Sequence, residues 1–231
     1  IADFQKELDK FAPVELTFDA SVLSEKQKEV VRKLVEAGKI MDRIFLVQSW
    51  KGNPALIEKL AASKDPVDAK TLELVKLYFG PFNRLEHNRP FVDGVGQKPA
   101  GAGYYPEDMT KEEFQAHLAA NPDDAPAFES NFTVIERKDG KLVAVPYSEA
   151  YKADLDQAAA LLREATDLSE NATVADYLRK RADAFASNDY YESDIAWMDM
   201  TDHRIEVVIG PYEVYEDALF NYKAAFEAFV T

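Results

Sequence analysis

Residues Arg204 to Val230 read RIEVVIGPYEVYEDALFNYKAAFEAFV, and this stretch decides how the chain builds its principal sheet edge. Ile205, Val207 and Ile209 recur at every second position, the period of a half-buried strand. Gly210 and Pro211 then predict a break in the ladder, because proline donates no hydrogen bond and is tolerated only at edges and bulges. The segment that follows is expected to run along an edge. If Tyr212 to Asp217 stays extended, Glu213, Tyr215 and Asp217 project on one face, and Tyr212, Val214 and Glu216 on the other. One face then carries a carboxylate beside a phenol. Taken by itself, such a face reads as a solvated edge strand with a tyrosine packed on its neighbour.

The helices before this stretch read as its scaffold. Residues 2 to 12 predict a short amphipathic helix through Phe4, Leu8 and Phe11 that Pro13 ends, and Val14 to Asp19 alternates like a short strand or extended lead-in. Ser24 with Gln27 forms a capping-box pattern. Val30, Leu34, Ala37, Met41 and Ile44 then repeat at helical spacing, which predicts a long helix to about Trp50. Gly52-Asn53-Pro54 stops it, and Pro54 suits the start of a helix running to about Ala62. Another helix is expected from Asp68 to Phe79. Thr110 with Glu113 opens a helix to about Ala120, Ser148 is expected to cap one through Leu155 and Leu162, and Thr173 one through Leu178 and Phe185. A short helix from about Asp189 to Met198 leads back to the strand. Between them, Asn131 to Glu136 and Leu142 to Val145 flank Asp139-Gly140, a strong hairpin signal. The fold class is therefore α+β, mostly helical, with a β-hairpin and a few strands forming a small mixed or barrel-like sheet. No linker divides the chain internally.

From Gly80 to Asp108 the helical periodicity disappears. This segment holds five of the nine glycines and four of the eleven prolines, and structureless loops beyond ~15 residues are uncommon unless functional or disordered. Its aromatic residues Phe82, Phe91, Tyr104 and Tyr105 argue against disorder. It reads either as an ordered loop lining a cleft or as a packed connector.

Composition narrows the function classes. With 47% hydrophobic residues over 231 positions, the chain can bury a substantial core. A net charge of -15 argues against nucleic-acid binding, which needs clustered cations, and favours cationic ligands such as peptide amino termini. No apolar run is long enough for a membrane span. Without cysteine there are no disulfides, thiolate nucleophiles or cysteine zinc sites. No signal peptide is visible, which leaves cytoplasm and periplasm both open. The start at Ile1 reads as processed or engineered, and the end after Val230 lacks a helix stop or polar tail. Together they predict the amino-terminal portion of a longer protein.

The residues that the common catalytic motifs require are scattered or missing. His87, His117 and His203 stand apart, with none of the four-residue spacing that lets two imidazoles of a helix reach one zinc. The glycine-rich run 94 to 103 lacks both the dinucleotide fingerprint and the phosphate-loop ending. There is no nucleophile elbow. The glycine, arginine and double-glutamate box of nucleotide-pyrophosphate hydrolases is also missing. Glu112-Glu113 suits a helix amino terminus, and Asp123-Asp124 a solvated surface. Tyr190, Asp194 and Trp197 would share one helix face, where packing against the 204 to 217 segment or a contribution to the cleft are both open.

One resemblance joins these observations. Trp197 is followed twelve residues later by Ile209-Gly210-Pro211-Tyr212-Glu213-Val214-Tyr215-Glu216-Asp217, and the tail reads Ala225-Phe226-Glu227-Ala228-Phe229-Val230. This resembles the substrate-binding segment of the dipeptidyl peptidase III metallopeptidases, typically W, then I-G-F-I-E-S-Y-R-D, then E-F-E-G-F-V. The resemblance implies that Glu213 holds the free amino terminus of a bound peptide and that Tyr215 bonds to the peptide near the scissile unit. It further implies zinc as cofactor, with ligands expected downstream of this chain, and the remaining catalytic lobe of the same protein as a partner beside the peptide substrate. Residues 1 to 231 would be the amino-terminal substrate-binding lobe, without peptidase activity alone. Pro211, Val214 and Glu216 depart from the pattern, the last replacing an arginine. The alternative is a non-enzymatic peptide- or protein-binding domain that uses the 204 to 217 edge strand and the 80 to 108 loop.

Overall fold

Ser24 caps the longest helix with both halves of its predicted box: its hydroxyl accepts from the Gln27 amide, and the Gln27 side chain accepts from the Ser24 amide. The computed structural model describes residues 2–17 and 19–231. Within them α1 spans Ala2–Leu8, α2 Glu25–Ser49, α3 Asn53–Ala62 and α4 Pro66–Tyr78, followed by the two-residue strands β1 (Phe82–Asn83) and β2 (Arg89–Pro90). Next come α5 (Lys111–Ala120), α6 (Ala125–Phe128), β3 (Thr133–Lys138), β4 (Lys141–Pro146) and α7 (Tyr147–Ala150). The chain continues through α8 (Lys152–Leu168), α9 (Ala172–Ser187), α10 (Tyr191–Met198), β5 (Val207–Glu213) and β6 (Ala225–Val230).

The stripe that predicted α2 is the centre of the core. Val30, Leu34, Ala37, Met41 and Ile44 are all buried, and α2 packs against α8 and β6. Each large apolar side chain so enclosed contributes about 1.5–3 kcal/mol. Helix α8 packs in turn on α9, and α9 on α10. Gln48 fastens the far end of α2 to the last strand, donating to the Ala224 carbonyl at 3.3 Å and accepting from the Phe226 amide at 2.8 Å.

The mostly helical α+β class holds, whereas a mixed or barrel-like sheet does not form among the described residues. The strands make three separate antiparallel pairs, β1 with β2, β3 with β4, and β5 with β6. The β3–β4 hairpin closes on Asp139-Gly140 with Lys138 opposite Lys141, and both turn residues have positive φ, 50° and 76°. A two-residue turn of that hand matches the twist of the flanking strands.

Two caps differ from expectation. Ser148 lies inside the short α7, and the chain kinks at Tyr151 before α8 begins. Asn171, not Thr173, caps α9, because its carboxamide reaches the Thr173 and Val174 amides first. Thr110 does cap α5, but the reciprocal half of its box is absent because Arg137 engages both Glu113 oxygens at 2.6 and 3.0 Å. Of the expected 14–19 strand, residues 14–17 are irregular and Phe18 lies outside the described residues.

Candidate functional site

Strand β5 runs through Gly210 and Pro211 instead of ending there. Gly210 pairs with Glu227 and Pro211 with Phe226; a bulge then skips Tyr212, so that Glu213 faces Ala225. Proline is accommodated because a two-stranded ladder consists of edges. Gly210 has φ 146°, and a β-carbon there would come within 2.6 Å of Arg181 Nη1. The strand thus crosses directly over a buried guanidinium, which stands 5.2–5.5 Å from the rings of Tyr177, Tyr190 and Tyr212 and pairs with Asp194 at 2.5 Å.

After Glu213 the ladder stops, and the assumed alternation stops with it. Glu213 and Tyr215 are exposed, whereas the consecutive Glu216 and Asp217 are both buried. Asp217 therefore does not share a face with Glu213 and Tyr215. Its carboxylate turns inward, accepting from the amides of Leu219, Phe220, Tyr222 and Lys223 and from the Tyr105 hydroxyl at 2.8 Å. Among the described residues, no lysine, arginine or histidine forms an ion pair with Glu213. Its charged neighbour is Glu227 on β6: burial lifts the Glu227 carboxyl above the ordinary carboxylate range, the Tyr215 hydroxyl lowers it, and the Glu213 charge raises it further. Burial beside Glu227 likewise raises the Tyr215 phenol. The Tyr215 ring leans on Phe45 of α2 with centroids 6.0 Å apart. Two carboxylates and a phenol thus gather where the strand comes free.

The glycine-rich segment reaches the same place. Lys98, Pro99 and Ala100, with His87 and Asn88, enclose a cavity of about 190 Å³ whose other wall is Tyr215, Glu216 and Ala218. Glu213 stands outside that lining. The segment is ordered by close backbone contact: the Gly103 amide donates to the Gln48 carbonyl at 2.7 Å, and the Ile135 amide to the Tyr104 carbonyl at 2.7 Å. Its aromatic residues Tyr104 and Tyr105 are buried. A second cavity, of about 530 Å³, lies between α1, α4 and residues 89 to 95.

The cluster at 189 to 197 is split between inward and outward residues, with Tyr190 buried and Tyr191 and Trp197 exposed. Tyr190 is buried against Arg181, Asp194 pairs with Arg181, and the Trp197 indole donates to Glu206 at 2.7 Å. Two of the three histidines are separately engaged, His117 with Asp124 at 2.8 Å while stacked on Phe128 and His203 with Glu206 at 2.6 Å, and His87 lines the smaller cavity. Among the described residues, no three histidine, aspartate or glutamate side chains gather as metal ligands, so these residues do not fit a zinc centre.

Several residues central to this region were not singled out by sequence. Glu216 stood out only as a reversal of charge; its carboxylate is bound by Arg84 and Lys98. Arg181 and Lys223, both buried cations, carry no motif that announces burial.

Comparison with known proteins identifies the class. The model of Peptidase family M49 matches residues 102–231, more than half of the chain. The chain belongs to peptidase family M49, the dipeptidyl peptidase III family. Among solved structures it is similar to dipeptidyl peptidase III from Caldithrix abyssi, at 56% identity and a TM-score of 0.97, over 98% of this chain and 43% of that one. The enzyme of the same description from Corallococcus sp. strain EGB matches at 43% identity and a TM-score of 0.94, over 98% and 42% of the two chains. A curated relative, Nudix hydrolase 3 of Arabidopsis thaliana, is 35% identical over 98% of this chain and 36% of its own length. The chain therefore spans less than half the length of each of these relatives.

Proposed function

We propose that this chain is the substrate-binding part of a zinc-dependent dipeptidyl peptidase that releases dipeptides from peptide amino termini. Glu213 pairs with the free ammonium of the substrate, and Tyr215 bonds to the peptide two positions further along the strand. The observation that carries this reading is the exposed Glu213 carboxylate, without a cationic partner among the described residues, beside Glu227 and Tyr215 at the open end of β5. Adjacent carboxylates repel one another, and an ammonium between them relieves that repulsion through short charge-assisted hydrogen bonds. Fixing the amino terminus fixes which peptide bond is presented for cleavage. The zinc is held by residues outside these 231.

The test is calorimetric binding of one peptide to the intact protein, with its amino terminus free or acetylated. The free peptide is expected to bind more tightly, and Glu213→Ala to remove about 1.5–3 kcal/mol of that preference while leaving zinc content unchanged. Equal affinity for both peptides removes Glu213 from this role.

A further inference from the structure

The cavity between α1, α4 and residues 89 to 95 shares no lining residue with the one beside Tyr215, and the peptide-binding reading makes no use of it. Its volume of about 530 Å³ suits a small molecule. Three aromatic residues in series line it. The Phe4 and Phe91 rings meet edge-on at 6.4 Å, and Phe91 meets Tyr78 at 5.9 Å with the ring planes 51° apart. Phe11, outside the lining, braces Tyr78 with ring centroids 5.5 Å apart. Tyr78 is 3% exposed, and its hydroxyl has no hydrogen-bond partner among the described residues. An unpaired buried hydroxyl destabilises the fold, and a hydrogen-bonding ligand removes that penalty.

The charges of the same lining are Asp3, Glu7, Asp93 and Arg89, three carboxylates against one guanidinium. Asp3 pairs with Lys6, Glu7 with Lys10, and Arg89 with Glu86, all partners outside the lining. Asp93 is exposed and forms no ion pair among the described residues. One carboxylate is therefore left over even when every one of those partners is counted.

We infer that this cavity binds a guanidinium group, with Asp93 and the Tyr78 hydroxyl as acceptors and the rings of Phe4, Tyr78 and Phe91 as its walls. Aromatic walls attract cations through the negative faces of their π systems. A guanidinium is planar and weakly hydrated, so it stacks on rings while its fork of donors reaches a carboxylate. The field of a chain with net charge -15 draws such a cation inward. The group belongs either to a free small molecule or to an arginine side chain of a peptide.

The test uses the intact protein and two probes of one shape, butylguanidinium and the uncharged butylurea, in ligand-detected NMR titrations. Butylguanidinium is expected to bind at least about tenfold more tightly. Asp93→Asn, on an exposed loop, is expected to weaken it by about threefold or more while leaving butylurea unchanged. Tyr78→Phe keeps the ring; it should weaken butylguanidinium by a similar factor and raise the thermal midpoint of the unliganded protein, since the unpaired hydroxyl is gone. A parent that binds both probes equally, or neither, overturns the site. Undiminished binding of butylguanidinium in both variants overturns it as well. Competition then separates the two sources, using agmatine and an amino-terminally acetylated peptide with one arginine. Displacement by the peptide supports the site as one for an arginine side chain, and displacement by agmatine alone supports it as one for a free cation. Displacement by neither overturns it.

Discussion

A β-carbon on residue 210 would lie 2.6 Å from Nη1 of Arg181, so β5 crosses this guanidinium only because residue 210 is glycine. The φ of 146° adds a backbone conformation that other residues rarely adopt. Gly210→Ala is expected to destabilise the fold by about 1–3 kcal/mol in urea unfolding. In an Arg181→Met background the clash is gone and the strain remains, so the two substitutions should couple by about 0.5–3 kcal/mol. Strict additivity would mean that strand and guanidinium do not press on one another.

Asp217 organises the turn between β5 and β6 by accepting from four backbone amides and one phenol. Asp217→Ala strands these donors in a buried site and is expected to cost about 3–5 kcal/mol. Asp217→Asn retains the shape and part of the acceptor capacity, so its cost should be smaller, about 1–3 kcal/mol. Thermal unfolding of the two variants distinguishes this hub from a merely space-filling side chain, for which they would be equal.

Lys223 is fully enclosed, with Nζ donating to the Phe128 and Ser130 carbonyls and to Thr133 Oγ1 at 2.6–2.9 Å. Burial pulls its ammonium from the ordinary 10.5 down to about 7, and the Asp217 and Glu129 carboxylates oppose that pull. Between these values the unfolded chain keeps a proton that the folded chain has released, so this group makes stability rise with pH across the interval. Below about 7 the lysine is charged in both states and the burial cost is present in full. Urea unfolding at about pH 6.5 and about pH 9 should show the parent gaining stability relative to Lys223→Met. Parallel profiles would mean that the three acceptors keep the amine charged throughout.

Gly103 touches the backbone of α2: a β-carbon there would meet the Val47 carbonyl oxygen at 1.9 Å. Gly103→Ala is expected to displace the loop and cost about 2–3 kcal/mol. The same change at Gly96, where a β-carbon meets nothing within 4 Å, should be within about 0.5 kcal/mol of neutral. Guanidinium-chloride midpoints of the two variants supply the comparison.

Some local chemistry was readable from neighbouring residues alone. The Ser24–Gln27 box, the Asp139-Gly140 turn and the α2 stripe each depend on neighbours within a few positions, and each forms as expected. The α9 cap falls two residues before the expected Thr173 because Asn171 and Thr173 are both competent and only geometry decides between them. The expected mixed or barrel-like sheet differs from the three strand pairs because periodicity reveals a strand but not its partner. At the candidate site, Glu213 and Tyr215 are exposed as an edge segment predicts, and the binding roles proposed for them come from the resemblance alone. The Arg84 and Lys98 partners of Glu216 lie 132 and 118 positions away, beyond any local pattern.

Gln48 meets Ala224 and Phe226 across 176 and 178 positions of sequence. Because both partners are backbone atoms, this fastening constrains only the carboxamide at 48 and the hydrogen on the nitrogen of residue 226, which proline alone would lack.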